Sequence, residues 1–296
     1  MSSDNSNMLD PIILGHNQFF GTNHLSATKG IEKERHFNDL SRVKEIIEFS
    51  VSNGVNGLML STHPMAPKII EILKNDKNLN DINIYPLLPY INKYVKGANE
   101  KGIINLIQDT LSLGTIGNKF KVVFKGGTGI VRKDIYSLLR ALIDTELMPF
   151  NDTNIKAIFL HDVLTDLALA YSLPDIFQFF ESYIKTNYSA IPAYATKNLP
   201  ALLYNLKKWG IECPVVMASI NKLGFQVNPS LKIFESSITK YNFNLVAMST
   251  LSSGAIKPSE AYKYISKLPN LSSIVVGVST EKHAKDTFSI IRKEIQ

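Results

Sequence analysis

Nine short apolar segments recur along the chain between stretches of helical periodicity, and this alternation constrains the fold more than any other feature. Parallel strands that are buried on both faces read as continuous apolar runs, because helices cover one face and the sheet interior covers the other. The pattern predicts an α/β protein folded as a (β/α)8 TIM barrel, with one segment outside the ring or one extra strand-helix unit. The segments are residues 12–14, 57–60, 82–88, 121–124, 155–160, 190–194, 214–217, 245–248 and 274–278.

The composition is that of a single globular domain. The chain has 296 residues, of which 45% are hydrophobic and 20% are charged, and one α/β barrel commonly uses about 250 residues. The first residues are polar, so we predict a disordered tail over residues 1–10 and one domain over 11–296. Neither a signal peptide nor a run of roughly 18 apolar residues is evident, which predicts a soluble, cytoplasmic protein without membrane contact.

The cysteine count and the charge distribution exclude several classes of site. Cys213 is the single cysteine, so an intramolecular disulfide and a cysteine-ligated zinc or iron–sulfur site are excluded. The formal net charge is +6, but the basic residues are spread over many helices, so we do not expect nucleic-acid binding. The net charge instead favours a small-molecule substrate that is anionic, or an anionic cofactor.

Two polar residues that follow apolar segments are candidates for catalysis, because barrel enzymes place their sites at the end where the strand carboxyl ends meet. We call this end the barrel mouth. Lys125, if desolvated there, could act as a nucleophile or base, or it could form a structural ion pair with Asp162. His161 and Asp162 are adjacent at a strand end, so we expect their side chains on opposite sides of the strand. His161 is then a proton donor, a partner for a carbonyl group, or a structural histidine.

Other strand ends supply candidates for binding. Substrate-binding candidates are His16, Asn17, His63 and Asn221, and Tyr194 is a further catalytic candidate. His16, Lys125 and His161 faintly resemble the ligands of metal-dependent amidohydrolase barrels, but that family's His-x-His on the first strand is absent here, since position 18 is Gln, and a metal site is not predicted. After the first strand, residues 20–35 are long and polar, which is typical of a loop that covers a site.

The loops after the last two predicted strands are candidates for binding a phosphate. Both are rich in Gly, Ser and Thr and precede helices, and backbone N–H groups at such positions bind anions. The same Ser and Thr residues could instead cap the helices. The cofactor-binding candidates are Ser249, Ser253, Gly254, Ser279, Thr280 and Lys282.

Several segments together resemble the strands of the aldo-keto reductase fold. Residues 193–198, 214–225, 246–251 and 275–280 look like its closing strands, and the last of these has the sequence VVGVST. Residues 14–21 and 53–62 are similar to its first two strands. The resemblance spans nearly the whole chain through short motifs, and it implies the barrel fold.

The resemblance also implies an activity, the NAD(P)H-dependent reduction of a small-molecule carbonyl, with NADP as the expected cofactor. That family uses a Tyr acid assisted by Lys, His and Asp, and here Lys125 and His161 match the strand-end Lys and His. Where the family has Asp-Thr-Ala after the second strand, this chain has Ser61, Thr62 and His63 in sequence. Tyr85 and Tyr90 are alternatives for the Tyr, although neither lies in a matching motif.

Two other functional classes remain open from the sequence. A cofactor-free lyase or isomerase would use Lys125 as a Schiff-base lysine or general base. A barrel without catalytic activity would bind a ligand or a partner only.

Overall fold

The computed structural model describes residues 9–21, 27–90 and 130–295. In these residues strands and helices alternate, as the apolar segments predict. The strands are β1 (Ile12–Gly15), β2 (Gly57–Ser61), β3 (Asn83–Leu88), β4 (Asn154–Ile155), β5 (Ala157–Leu160), β6 (Ile191–Thr196), β7 (Val215–Ser219), β8 (Asn244–Met248) and β9 (Leu271–Val276). The helices are α1 (Ala27–Phe37), α2 (Leu40–Ser52), α3 (Ala66–Asn75), α4 (Ile130–Leu147), α5 (Asp162–Ala170), α6 (Pro174–Tyr188), α7 (Leu199–Lys208), α8 (Leu231–Lys240), α9 (Pro258–Ile265) and α10 (Glu281–Ile295). Short 3-10 helices lie at His16–Gln18, Met148–Phe150 and Ser252–Gly254.

Eight parallel strands close into a ring. The order is β1, β2, β3, β5, β6, β7, β8 and β9, and β9 pairs with β1 to complete the barrel. The two-residue strand β4 lies outside the ring. It pairs with the start of β3, whereas β5, which follows after a single residue, pairs with the end of β3. The predicted TIM barrel with one extra strand is therefore confirmed. The predicted segment 121–124 lies outside the described residues.

Alternate residues of each strand fill two separate cores, as the period of two in a strand requires. One set points into the barrel and the other packs against the helices, and both are buried because the sheet is covered on both faces. Side chains of the barrel interior include Ile13, Met59, Tyr85, Phe159, Ala193, Met217 and Val246. Side chains of the helix layer include Leu14, Leu58, Ile84, Ile158, Tyr194, Val216 and Ala247.

The amino end of the barrel is closed by contacts to Asp10, and Leu9 packs into the barrel interior. Tyr85 donates its hydroxyl to Asp10 Oδ2 at 2.5 Å, and Asn83 Nδ2 lies 2.8 Å from the same oxygen. A Cβ on Gly57 would lie 3.0 Å from the Tyr85 ring and 3.1 Å from Asp10 Cβ, so a larger residue there would push against both partners of this contact. Leu9 and Asp10 therefore belong to the folded domain and not to the predicted tail.

Replacing Tyr85 with Phe should lower the free energy of unfolding by about 2 kcal/mol, because hydrogen bonds to charged groups contribute about 1.5–3 kcal/mol. The ring would still fill the interior while Asp10 loses a buried donor. Urea denaturation measures the change. Tyr204→Phe is the control, since Tyr204 is 57% exposed. If Tyr85→Phe lowers the free energy of unfolding no more than Tyr204→Phe does, the prediction is contradicted.

Two predicted elements differ from the structure. The stretch 164–185 reads as one helix in the sequence, but it forms α5 and α6 with a break between them. Ser172 is left-handed at the break, with φ 51°, and Pro174 disfavours helical geometry in the residue before it. The stretch 20–35 was predicted as a covering loop, yet most of it lies in α1. Within the described ranges, no helix is long and apolar enough to cross a membrane.

Candidate active site

His161, Asp162 and Lys197 form a connected cluster at the ends of β5 and β6. His161 Nδ1 lies 2.7 Å from Asp162 Oδ1, and Lys197 Nζ lies 3.3 Å from Asp162 Oδ2. The expectation that His161 and Asp162 diverge is wrong, because the strand ends at Leu160 and Asp162 already begins helix α5. The turn of the chain brings the two side chains together.

The contacts of Asp162 define which nitrogen of His161 carries a proton. An ionised carboxylate only accepts hydrogen bonds, so Nδ1 of His161 donates to it. The backbone N–H of Val163 lies 3.0 Å from Asp162 Oδ1 and 3.3 Å from His161 Nδ1, and we assign it to the carboxylate because an Nδ1 that donates cannot accept. Nε2 of His161 makes no hydrogen bond within the described residues.

Asp162 is ionised at neutral pH. Burial by itself raises the pKa of this carboxyl, but the hydrogen bond and charge of His161 and the charge of Lys197 outweigh burial and lower the pKa to about 2. A permanently charged carboxylate beside an imidazole stabilises the imidazolium form and orients the ring. Asp162 therefore fixes the orientation of the His161 ring.

A second carboxylate, Asp166, positions the strand end that carries Lys197. It accepts from Thr196 Oγ1 at 2.5 Å and from Lys197 N at 2.9 Å. Burial raises the pKa of Asp166, and these two donors partly oppose the effect. Asp166 and Asp162 are one helical turn apart on α5, so this helix places both carboxylates at the mouth.

His16 is a buried imidazole held in one tautomer. Its Nδ1 lies 3.1 Å from the carbonyl oxygen of Met59, and a carbonyl can only accept, so Nδ1 carries the hydrogen and Nε2 is an acceptor. Burial lowers the pKa of His16 to about 4; the Met59 hydrogen bond opposes this shift, and nearby His161 and His63 add to it. His16 is therefore neutral at physiological pH.

A row of rings joins His16 to Tyr90 across the ends of β1, β2 and β3. The rings of His16 and Phe20 are 5.1 Å apart, Phe20 stacks on His63 at 4.1 Å, and Tyr90 meets His63 edge-on at 4.9 Å. The N–H of Met65 donates to His63 Nδ1 at 3.1 Å. Packing and backbone contacts thus fix the orientation of both imidazoles. Asn17, beside them, is exposed.

Glu146 is a carboxylate at the mouth that no sequence pattern indicates, and it is only 2% exposed. It comes from the end of α4 and accepts from Thr62 Oγ1 and from the backbone N–H of Tyr90, the latter at 3.2 Å. Thr62 Oγ1 also accepts from Tyr90 N at 3.1 Å. Glu146 thus supplies a carboxylate after β2, where the resemblance led us to expect Asp. No local motif marks it, because a helix delivers it from a distant part of the chain.

Tyr194 and Asn221 are both fully buried. Tyr194 is fully buried in the helix layer, where its hydroxyl lies 3.4 Å from Phe177 O and burial raises its pKa well above the usual value. Asn221 is also fully buried, and its amide binds Phe225 O at 2.8 Å, Phe225 N at 2.8 Å and Ser249 O at 3.3 Å. Through these bonds Asn221 fixes the conformation of the loop after β7.

The loop after β8 is strained in a way that suits an anion. Ser249, Ser252, Ser253 and Gly254 all have positive φ, which is unusual for serine. Leu251 and Ser252 are right-handed and then left-handed, the sequence that directs successive N–H groups to one side. The Ser252 hydroxyl is buried and has no hydrogen-bond partner among the residues that the structure describes.

The loop after β9 leads into helix α10. Thr280 Oγ1 accepts from His283 N at 3.2 Å and so acts as a helix cap, the alternative that the sequence left open. Ser279 is half-buried and Lys282 is exposed, and the first N–H groups of any helix point outward from its end. Glu281 in the same turn is also exposed and disfavours an anion.

Lys125 lies outside the described residues, so its predicted role stays a prediction. Among the residues that the structure does describe, no three His, Cys, Asp or Glu side chains are grouped so as to hold a metal ion.

Comparison with solved structures identifies the fold. A protein described as an aldo-keto reductase from Pseudomonas aeruginosa matches with a TM-score of 0.63 at 10% identity, over 99% of this chain and 94% of that one. Another aldo-keto reductase structure from that organism matches with a TM-score of 0.61 at 11% identity, over 99% and 93% of the two chains. No family model and no curated protein matches the sequence. The likeness shows that this chain has the barrel fold of these two structures, the fold that the resemblance implied.

Proposed function

We propose that the protein is an aldo-keto-reductase-like oxidoreductase that reduces a small-molecule carbonyl with NAD(P)H. The observation that carries the proposal is the His161–Asp162–Lys197 cluster at the mouth of a barrel with that fold. A strand-end histidine linked to an ionised carboxylate is an arrangement suited to proton transfer. The loops after β8 and β9 lie at the same end of the barrel, because all strands of the ring are parallel.

In this proposal His161 is the proton donor. Its Nδ1 stays bonded to Asp162, and its protonated Nε2 gives the proton to the carbonyl oxygen of the substrate. Asp162 stabilises the imidazolium before transfer, and Lys197 keeps Asp162 ionised and in place. The neutral imidazole then takes a proton from water. Bound NAD(P)H would supply the hydride that adds to the carbonyl carbon.

The loops fit the phosphate groups of such a cofactor. The left-handed residues Ser252 and Ser253, the unpaired Ser252 hydroxyl and Lys282 provide donors of the right chemistry. Among the described residues, no atom lies within 4 Å of a Cβ built on Gly254. A phosphate could therefore approach this backbone closely. NADP stays the expected cofactor on the same grounds.

A pair of glycines allows a controlled test of cofactor binding. Gly254 and Gly210 both have positive φ, of 92° and 77°, and a Cβ on either would meet no atom of the described part of the chain within 4 Å. Aspartate therefore causes similar backbone strain at both positions. Gly210 follows α7 and precedes β7, at the end of the barrel opposite to the mouth. Only Gly254→Asp places a negative charge in the proposed phosphate site.

We expect the unmodified protein to bind NADPH with a Kd below about 100 μM, as measured by quenching or enhancement of NADPH fluorescence. Gly254→Asp should weaken binding at least about tenfold through charge repulsion, whereas Gly210→Asp should bind as the unmodified protein does. NADPH oxidation with small aldehydes and ketones is then followed by absorbance. Absence of NADPH binding at millimolar concentration would eliminate the reductase proposal.

A further inference from the structure

Two grooves between neighbouring helices on the outside of the barrel differ in charge. The groove between α2 and α3 has a volume of about 470 Å³, and two lysines and two acids line it. Lys44 pairs with Asp76 at 2.7 Å there, so this groove neutralises its own charge. The groove between α7 and α8 has a volume of about 530 Å³, and no Asp or Glu of the described residues lines it. We call it the lysine groove, and its lining includes Pro200, Lys232, Ile233, Ser237, Lys240 and Tyr241.

Three lysines face the lysine groove, and the protein does not neutralise them. Lys232 and Lys240 line it, and Lys207 of α7 lies over the Tyr241 ring, 6.0 Å from the ring centroid. In the described ranges none of these lysines forms an ion pair. Helix α7 has no acidic residue, and Glu235 of α8 accepts from a tyrosine of α9, on the other side of α8. Like charges gathered in this way favour an anionic ligand.

The lysines lie at the two ends of the lysine groove. Both helices begin at the mouth end, because each follows the carboxyl end of a strand. Lys232 is in the first turn of α8 and Lys240 is in the last, and between them the helix rises about 12 Å. Pro200 and Ile233 give the groove an apolar floor, and Ile233 is 47% exposed. An elongated ligand with two anionic groups and an apolar part therefore fits both the charges and the floor.

The surroundings of Tyr241 favour an acidic protein segment over a nucleic acid. Single-stranded nucleic acids bind basic grooves largely by stacking their bases on aromatic rings. Here Lys240 and Lys207 already lie over the Tyr241 ring, 5.5 and 6.0 Å from its centroid. Tyr241 is also the one aromatic side chain among the described residues that line the groove. Carboxylates need no stacking surface to bind lysines.

We propose that the lysine groove binds an extended acidic segment of another protein, with two carboxylates four residues apart and an apolar residue midway. In an extended chain residues i, i+2 and i+4 point to the same side and span about 13 Å, which matches the rise from Lys232 to Lys240. One carboxylate pairs with Lys232, the apolar residue contacts Ile233, and the other carboxylate pairs with Lys240 and Lys207. The groove lies on the outer helix layer, so this inference does not depend on the proposed reductase function.

The probe is a fluorescein-labelled peptide of sequence Gly-Ser-Glu-Ser-Leu-Ser-Glu-Ser-Gly. One control peptide has Gln in place of both Glu residues, and a second has the same composition with the two Glu residues adjacent. Binding is measured by fluorescence anisotropy at about 50 mM salt, where screening between exposed charges is weak. Labelled oligothymidine is titrated in parallel, and the protein alone is examined by sedimentation velocity.

The protein variants are Lys240→Glu, Lys232→Glu and a matched control, Lys263→Glu. Lys240 and Lys263 are both exposed and both lie in the last turn of a helix, in α8 and α9 respectively. The two substitutions therefore change the net charge and the charge at a helix end equally. Circular dichroism checks that each variant is folded.

We expect Lys240→Glu and Lys232→Glu each to weaken binding of the peptide at least about tenfold, since each replaces an attraction by a repulsion. Lys263→Glu should change it less than about twofold. The glutamine peptide should bind at least about tenfold more weakly than the probe, and the adjacent-Glu peptide at least about threefold more weakly. NADPH binding should be the same in all three variants.

Four results would overturn the inference. They are no saturation of the probe below about 1 mM, equal binding of the glutamine peptide, equal binding of the adjacent-Glu peptide, and an equal loss in Lys263→Glu. Tighter binding of oligothymidine that Lys240→Glu abolishes would assign the groove to a nucleic acid instead. A dimer of the unmodified protein that Lys240→Glu dissociates would assign it to a second copy of this chain.

Discussion

Asp162→Asn should lower the turnover of carbonyl compounds by about 10² to 10³-fold, the range expected when a general acid loses its supporting carboxylate. The ionised Asp162 accepts from His161 Nδ1 and stabilises the imidazolium. An asparagine amide has no charge and can present its N–H to Nδ1, which would select the wrong tautomer. NADPH binding should change less than about threefold, because Asp162 lies at the start of α5, away from the loops after β8 and β9.

Asp166→Asn is the matched control for this prediction. It removes the same charge from the same helix, one turn away, but Asp166 bonds to Thr196 and to the backbone of Lys197, not to His161. We expect its turnover to fall by less than about tenfold. Steady-state rates with small aldehydes and ketones, together with circular dichroism to check folding, distinguish the two variants. Equal losses in both would show that the carboxylates act only by shaping the strand ends.

Acid should destabilise the fold through His16, by about 3 kcal/mol between pH 7 and pH 4. In the unfolded chain His16 takes up a proton near pH 6.5, but in the folded protein burial lowers its pKa to about 4. Between these values the unfolded state binds more protons, so stability is full above about pH 6.5 and falls as the pH decreases. Electrostatic interaction with His161 and His63 also lowers the pKa of His16, in the same direction as burial.

Urea unfolding at several pH values between 7 and 4, for the unmodified protein and His16→Asn, isolates this contribution. The asparagine variant should lose much less stability over that range, because it has no buried group to protonate. In the folded protein the pKa of Asp162 is about 2, below its usual value of 3.8. The stability that Asp162 contributes is therefore lost mainly below pH 4. Parallel stability curves for the two proteins would show that His16 is not the group responsible.

The sequence predicts the barrel well because each strand is buried on both faces and is therefore a continuous apolar run. Segments such as 57–60 and 157–160 are apolar at every position, since even the residues that face inward meet other side chains and not water. The helices are predicted less well where two of them are joined by a short break. Leu167, Ala168 and Leu169 continue the apolar pattern toward Pro174, and only the left-handed Ser172 reveals the break.

The site is harder to predict because its contacts depend on where the chain turns. Strand periodicity placed His161 and Asp162 on opposite sides, but periodicity no longer applies once a helix begins at Asp162. Tyr194 follows the strand rule and faces the helices, so an ordinary count of alternate residues from Ala193 would have excluded it from the mouth. Glu146 could not be inferred, since its contact with Thr62 joins residues that are 84 positions apart.

The pairing of β1 with β9 has a consequence for biosynthesis. Ile12 to Leu14 align with Ile274 to Val276, and Ser273 Oγ donates to Asp10 O at 2.6 Å across 263 residues of chain. While a ribosome is still making the protein, β1 therefore lacks one of its neighbours until β9 has emerged. For most of synthesis the nascent chain would expose the unpaired N–H and C=O groups of a strand edge. We therefore expect it to bind chaperones that cover such edges.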